Sequence, residues 1–325
     1  MSARLRRAAP VALVGLGLFA FPFAVKDAFW QNLAVLVLIY ASAATAWNLL
    51  GGYSGQISFG HALFFSIGAY TTGYLLLHVG LVPWVGIAVG AMLAAVVGVA
   101  IGFPVFRLRS HYFSIATIAM QQVAFILVVN TSALGSATGL ELPLKPGSLL
   151  NLQFSIRDKT GYHLVALGLF AFSSLVVWLF VRSRAGYYVR AIRDDEEAAR
   201  VMGVPVRRYK LYAMALSAGL TALAGGTYAM YALYVEPNVL LTVGQSILIA
   251  LVAILGGAGS LWGPLVGAAV LNWLQQTTRV QLSGGGNGLD FVVYGALVMM
   301  VAILEPRGLV GFAGRLRSLA RRIRR

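Results

Sequence analysis

Apolar residues in this 325-residue chain arrive in long unbroken runs, and none of those runs carries an Asp, Glu, Lys or Arg at its middle. Runs of roughly 17 to 25 residues match the length of a helix that crosses a bilayer. About ten are present, near 8–25, 31–50, 61–79, 84–104, 112–130, 163–181, 211–233, 240–256, 261–278 and 289–304. A soluble domain of this size could not hide a composition of 59% hydrophobic and only 11% charged residues. The pattern therefore predicts a single all-α polytopic membrane domain over residues 1–325 with about ten transmembrane helices. The first run follows Arg4, Arg6 and Arg7 like a signal peptide but lacks a small-x-small cleavage site before Lys26, so an uncleaved first helix is expected. The eighth and ninth runs are joined only by Gly256–Ser260, so 240–278 either crosses twice or folds as a re-entrant hairpin.

Charge orients this bundle. Twenty of the 25 Lys and Arg residues sit at the N-terminal tip, at Arg107 to Arg109, in 182–210 and in the tail from Arg307. Those places carry the whole net charge of +15, and the alternate loops are neutral. By the positive-inside rule the basic set is cytoplasmic, which puts both termini inside and the 131–162 loop outside. The Arg-rich tail, Arg315 to Arg325, is expected to rest on anionic membrane lipid.

Several chemistries are excluded or disfavoured. There is no cysteine and no Gly-Lys dipeptide, which removes thiolate chemistry and a phosphate-binding P-loop. The four histidines are far apart, so no metal site, cofactor or enzyme activity is expected, and the confined positive charge argues against nucleic acid. A self-sufficient ion-coupled carrier usually needs an intramembrane carboxylate or base, and the spans offer none. A membrane enzyme would want Asp, His or Arg clustered at an interface, whereas the dense cluster Asp194 to Glu197 belongs to a soluble-type segment. Transport energy is then expected from outside the membrane, and 182–210 is where a soluble motor could grip.

Within that segment Asp194, Asp195, Glu196 and Glu197 open a short helix, Glu196 and Arg200 stand at i and i+4, and Gly203 with Pro205 stops it. The other polar patch, Gly51 to Gly60, is a poor continuous helix and predicts a broken start to a span. Its side chains Ser54, Gln56, Ser58 and His61, with Gly52, are candidates for the wall of a translocation path, or else for interhelical packing and hydrogen bonding.

Glu197-Ala198-Ala199-Arg200-Val201-Met202-Gly203 fits the EAA-x3-G element of ABC importer permeases, although the downstream part of the longer EAA pattern is absent. Together with Arg184-Ala185-Gly186, Asn48 to Gly60, Gly68-Ala69-Tyr70 and Leu255 to Pro264, it resembles the permeases of branched-chain amino acid ABC importers over residues 31 to 312. The long first loop is similar to the M-type subunit rather than the H-type. The resemblance implies the ABC importer permease fold in a bacterial cytoplasmic (inner) membrane. It implies a homologous H-type permease, two cytoplasmic ATP-binding subunits and a periplasmic or lipid-anchored binding protein as partners. It also implies coupling to the ATPase through Arg193, Asp194, Glu197, Ala198, Ala199 and Gly203. Leucine, isoleucine and valine are the implied cargo, with urea, amides or aromatic and other organic acids as the alternative within the same class.

Overall fold

The computed structural model describes residues 3–108, 110–144, 147–154, 158–281, 295–296 and 308–311. The expected tenth run (289–304), but for 295–296, and the basic tail lie outside the described residues. Twelve α-helices are described: α1 Ala3–Ala24, α2 Ala28–Asn48, α3 His61–Tyr74, α4 Pro83–Val105, α5 Ser110–Val129, α6 Thr160–Arg182, α7 Arg184–Asp194, α8 Glu196–Val201, α9 Val206–Ala232, α10 Pro237–Leu240, α11 Val243–Gly257 and α12 Gly263–Gln281. A two-residue antiparallel ladder pairs β1, Leu140–Glu141, with β2, Tyr234–Val235. Helices α2 and α3 each end in a widened π-helical turn, Leu49–Tyr53 and Leu75–Val79.

The helix ends follow local chemistry. Asp27 caps α2 by accepting hydrogen bonds from the backbone N–H of Phe29 at 2.9 Å and Trp30 at 3.2 Å. Pro83 opens α4, where its missing N–H costs no helical bond. Ser183 both ends α6 and caps α7, accepting from Gly186 N at 3.3 Å.

Five helical stretches among the described residues have the length and hydropathy to cross a membrane: Ala28–Tyr53, His61–Val79, Pro83–Val105, Tyr112–Val129 and Thr160–Arg182. This is a multi-pass membrane protein. The central helix is α9, packed on α2, α3 and α4. At 27 residues it is long enough to cross, and its buried face is rich in Ala and Gly, among them Ala218, Ala222, Ala224, Gly225 and Gly226. Those small residues let α3 and α9 touch backbone to backbone: a Cβ at Gly68 would run into the Ala222 carbonyl, and one at Gly225 into the Phe65 carbonyl. By contrast α5 and α6 expose most of their surface outward.

The 240–278 region resolves into three pieces. The 15 residues of α11 make a helix about 22 Å long, shorter than a hydrocarbon core of about 30 Å. It is preceded by the one-turn α10, and the Leu241 carbonyl between them accepts from Gln121 Nε2 of α5 at 3.2 Å. Helices α11 and α12 then pack as a hairpin whose turn brings Gly256 against the backbone of Gly263.

Candidate functional site

The two sequence-predicted groups, 141 residues apart, meet at the basic end. From the last turn of α7, Arg193 donates Nη1 to the Gly52 carbonyl in the π turn of α2 at 2.5 Å. Its aliphatic stem lies across Gly55, where a Cβ would stand 3.0 Å from Arg193 Cγ. The same guanidinium crowds Gly259, where a Cβ would stand 2.9 Å from Nη1. One side chain thus touches α2's broken end, the 54–60 loop and the α11–α12 turn. Both Gly55 (φ +70°) and Gly259 (φ +81°) hold left-handed backbone that a side chain would strain.

Asn48 locks two of these segments together. Its Oδ1 accepts from Gly259 N at 2.7 Å and its Nδ2 donates to the Ser260 carbonyl at 2.8 Å. Gly52 lies between them: a Cβ there would fall on the Asn48 amide and within 2.5 Å of Gly259 N. Among the path candidates, Ser54 is fully buried with no partner for its hydroxyl, and Gln56 is 8% exposed.

His61 is fully buried and hydrogen-bonded at both nitrogens, to Ser58 Oγ at 3.2 Å and Ser217 Oγ at 2.9 Å. Ser217 donates its own proton to the Ala46 carbonyl at 2.6 Å, so it accepts from His61 Nε2–H. Nδ1 then accepts from Ser58, whose oxygen in turn accepts from Gly60 N at 3.3 Å. That network fixes one neutral tautomer and ties the head of α3 to α2 and α9. The void beside Ser58, Gly60 and Thr117 is too small for a water. Ser58 O also accepts from Trp47 Nε1 at 2.7 Å, and Phe59 N donates to Thr117 Oγ1 of α5 at 3.1 Å. The break is therefore stitched on all sides.

The short helix expected to open at the four acids and stop at Gly203 is α8, and a further helix, α7, precedes it and takes Asp194 as its last residue. Asp195 adopts extended backbone, ends α7, and caps α8 by accepting from Ala198 N at 2.9 Å. Ala199 points inward against Ile192 and Val206, whereas Asp194, Glu197 and Ala198 lie on the surface. Gly203 takes φ +80° in open space and ends α8, with Val204 N donating back to Ala199 O at 3.0 Å. The Glu196–Arg200 pair forms at 3.1 Å, but Glu196 also holds the buried Lys210 at 2.6 Å.

Three features escaped the sequence reading. Val201 and Met202 stand 86% and 83% exposed beside Glu197 and Ala198, an apolar pair on a polar surface. Asn48 opens the Asn48 to Gly60 stretch, but its role as a clamp was hidden because its partners lie more than 200 residues away. Ser66 and Tyr70, one turn apart on α3, bury hydroxyls without partners. Tyr70 stands within Gly68-Ala69-Tyr70, but only the i, i+4 spacing could have paired it with Ser66.

The family model described as "Branched-chain amino acid transport system / permease component" matches residues 29–304. The chain is 30% identical to the high-affinity branched-chain amino acid transport system permease protein LivM of Escherichia coli K12, covering 92% of this chain and 74% of that protein. It is 25% identical to the LivH permease protein of Salmonella typhimurium over 84% of this chain and 91% of that one. A probable LivM of Methanocaldococcus jannaschii is 23% identical over 84% of this chain and 90% of its own length. No solved structure matches.

Proposed function

This chain belongs to the family of branched-chain amino acid transport permeases, and on that premise we propose how it works. It is the M-type permease subunit of an ATP-driven importer that passes leucine, isoleucine and valine inward. It sits in the bacterial inner membrane with the basic end and both termini cytoplasmic, as one domain of about ten crossings. A homologous H-type permease completes the membrane part, a reading favoured by similarity to both LivM and LivH proteins. Two cytoplasmic ATP-binding subunits hydrolyse ATP, and a periplasmic or lipid-anchored protein delivers the solute to the 131–162 side.

The observation that carries this reading is the reach of Arg193. An ATPase gripping the exposed face of α7 and α8 (Asp194, Glu197, Ala198, Val201 and Met202) would move a side chain hydrogen-bonded to Gly52. Ala199 and Gly203 keep that face in shape, the first by burial and the second by ending α8. Motion would then pass to the 52–61 stretch, which borders the path. Ser54, with its free hydroxyl, and Gln56 meet the solute when the break opens, while Gly52, Ser58 and His61 hold the wall.

The test is ATP-dependent uptake of labelled leucine into proteoliposomes holding all subunits, with binding protein added. It compares this chain with a Glu197→Arg, Gly203→Trp double variant. Uptake that needs ATP and collapses in the variant supports the reading, and intact uptake in the variant removes the coupling assignment. ATPase activity stimulated by binding protein without leucine uptake would keep the class and move the cargo to urea, amides or organic acids.

A further inference from the structure

We propose that the basic pocket between the ends of α4, α8 and α9 binds one anionic phospholipid of the cytoplasmic leaflet. The inference uses the sidedness of the transport reading but not its cargo or partners. The pocket has a volume of about 620 Å³, an apolar floor that includes Val99, Phe106 and Leu211, and a rim of Arg200, Arg207 and Arg208. The Arg207 guanidinium lies 3.5 Å over the Phe103 ring and donates Nη2 to the Phe103 carbonyl at 2.6 Å. Arg107 approaches the same ring at 5.9 Å, and Arg208 Nε donates to the Tyr212 hydroxyl at 2.7 Å.

Apart from Arg200, these cations have no carboxylate partner among the described residues. The pocket's carboxylate, Glu196, is already shared by Arg200 and Lys210. Among the described residues no carboxylate pairs with Arg107, Arg207 or Arg208. Arg207 Nε is moreover a buried donor with no acceptor. Guanidinium groups bind phosphate oxygens through paired N–H donors, so a phosphodiester would satisfy this cluster.

Charge alone would also suit a free anion or an acidic protein surface. A second feature selects the lipid. Met92, Val96, Val99 and Phe103 recur along α4 at spacings of four, three and four, and are 63%, 66%, 37% and 51% exposed. They form one apolar stripe that ends at the pocket. From Met92 to Phe103 the rise is about 16 Å, close to one leaflet's half of a hydrocarbon core of about 30 Å. Acyl chains therefore lie on the stripe with the phosphate among the guanidiniums. A free anion would not use the stripe, and a soluble partner would not reach Met92.

Native mass spectrometry of the full chain in detergent, titrated with phosphatidylglycerol and with phosphatidylcholine of the same acyl chains, tests this. The expected result is one saturable site selective for phosphatidylglycerol. Its affinity should fall about thirtyfold in an Arg207→Gln, Arg208→Gln variant, at about fivefold per arginine. A charge-matched Arg182→Gln, Arg184→Gln variant should change it less than about twofold. Should the first variant misfold, Arg107→Gln, an exposed position, should still lower affinity about fivefold. Equal binding of both lipids, or equal losses in the two double variants, would overturn the site in favour of diffuse attraction. Displacement of the lipid by glycerol phosphate alone would make it a free-anion site. Displacement by the purified ATPase subunits would make it a protein-docking surface.

Discussion

The two ends of the bundle are built on different principles. At the neutral end the ties run between well-formed helices and a short ladder. Leu142 N donates to the Leu233 carbonyl at 2.9 Å beside the β1–β2 pair, and Tyr234 OH donates to the Thr138 carbonyl at 2.5 Å. Lys159 there donates Nζ to Asn32 Oδ1 at 3.0 Å and to Tyr231 OH at 2.9 Å, and partial burial lowers its pKa. At the basic end Arg193 also bonds only neutral oxygen, but its partner belongs to the glycine break on which α2, α3 and the α11–α12 turn converge. Two cations in similar company thus have different reach. A long cation can brace a surface or transmit movement, and the softness of the element it holds decides which.

The strongest way to break this contrast is to fill the glycine break. Gly52→Val should cost about 3 kcal/mol or more through overpacking, because both neighbours it would strike are held in place, and the chain should melt early in detergent. A melting temperature within experimental scatter of wild type would mean the break is loose. Matched substitutions sharpen the contrast further. Arg193→Met should reduce uptake about tenfold or more, the scale of a lost charge-assisted bond, while the complex still assembles. Lys159→Met at the other end should alter uptake less than about twofold. Equal losses would erase the distinction between the ends. Val201→Asp with Met202→Asp should leave the stability of the isolated chain within about 0.5 kcal/mol. Retention of the ATPase subunits on size-exclusion should nonetheless weaken about tenfold. The smallest effect belongs to the neutral end. Hydrogen bonds from the Thr160 hydroxyl and N–H hold the Asp158 carboxyl below its usual pKa. Its stabilisation is complete above the ordinary aspartate pKa and disappears as pH falls through the lower folded value. The melting difference between wild type and Asp158→Ala should therefore shrink on acidification and stay constant around neutrality.

Hydropathy made much of this fold legible before any coordinates. The runs at 31–50, 61–79, 84–104, 112–130 and 163–181 lie within a few residues of α2 to α6, because length and apolarity fix a membrane helix locally. The stop at Gly203 and the Glu196–Arg200 pair were also readable, each resting on neighbours in sequence. The helix start at the acids was readable as well, with Asp195 as its cap, but α7 before it was not, because its apolar face shows only where Ile192 packs with Ala199 and Val206. Nor was the discontinuity between α10 and α11, which depends on Gln121 holding the Leu241 carbonyl from another helix. The candidate groups themselves were visible as polar patches. Their meeting through Arg193 was not, because a side-chain bond to a backbone carbonyl leaves no periodicity to read.

The Asn48 clamp bears on biosynthesis as well. Its partners, Gly259 and Ser260, are encoded more than 200 residues later. At a synthesis rate of about 5–20 residues per second, roughly 10 to 40 s separate the appearance of Asn48 from that of its acceptor and donor. Throughout that interval the end of α2 has left the ribosome with its amide unanswered, and α3 to α9 must gather around an unfinished seam. The seam closes only once the α11–α12 turn has been made, so the end of α2 stays incomplete until most of the chain exists.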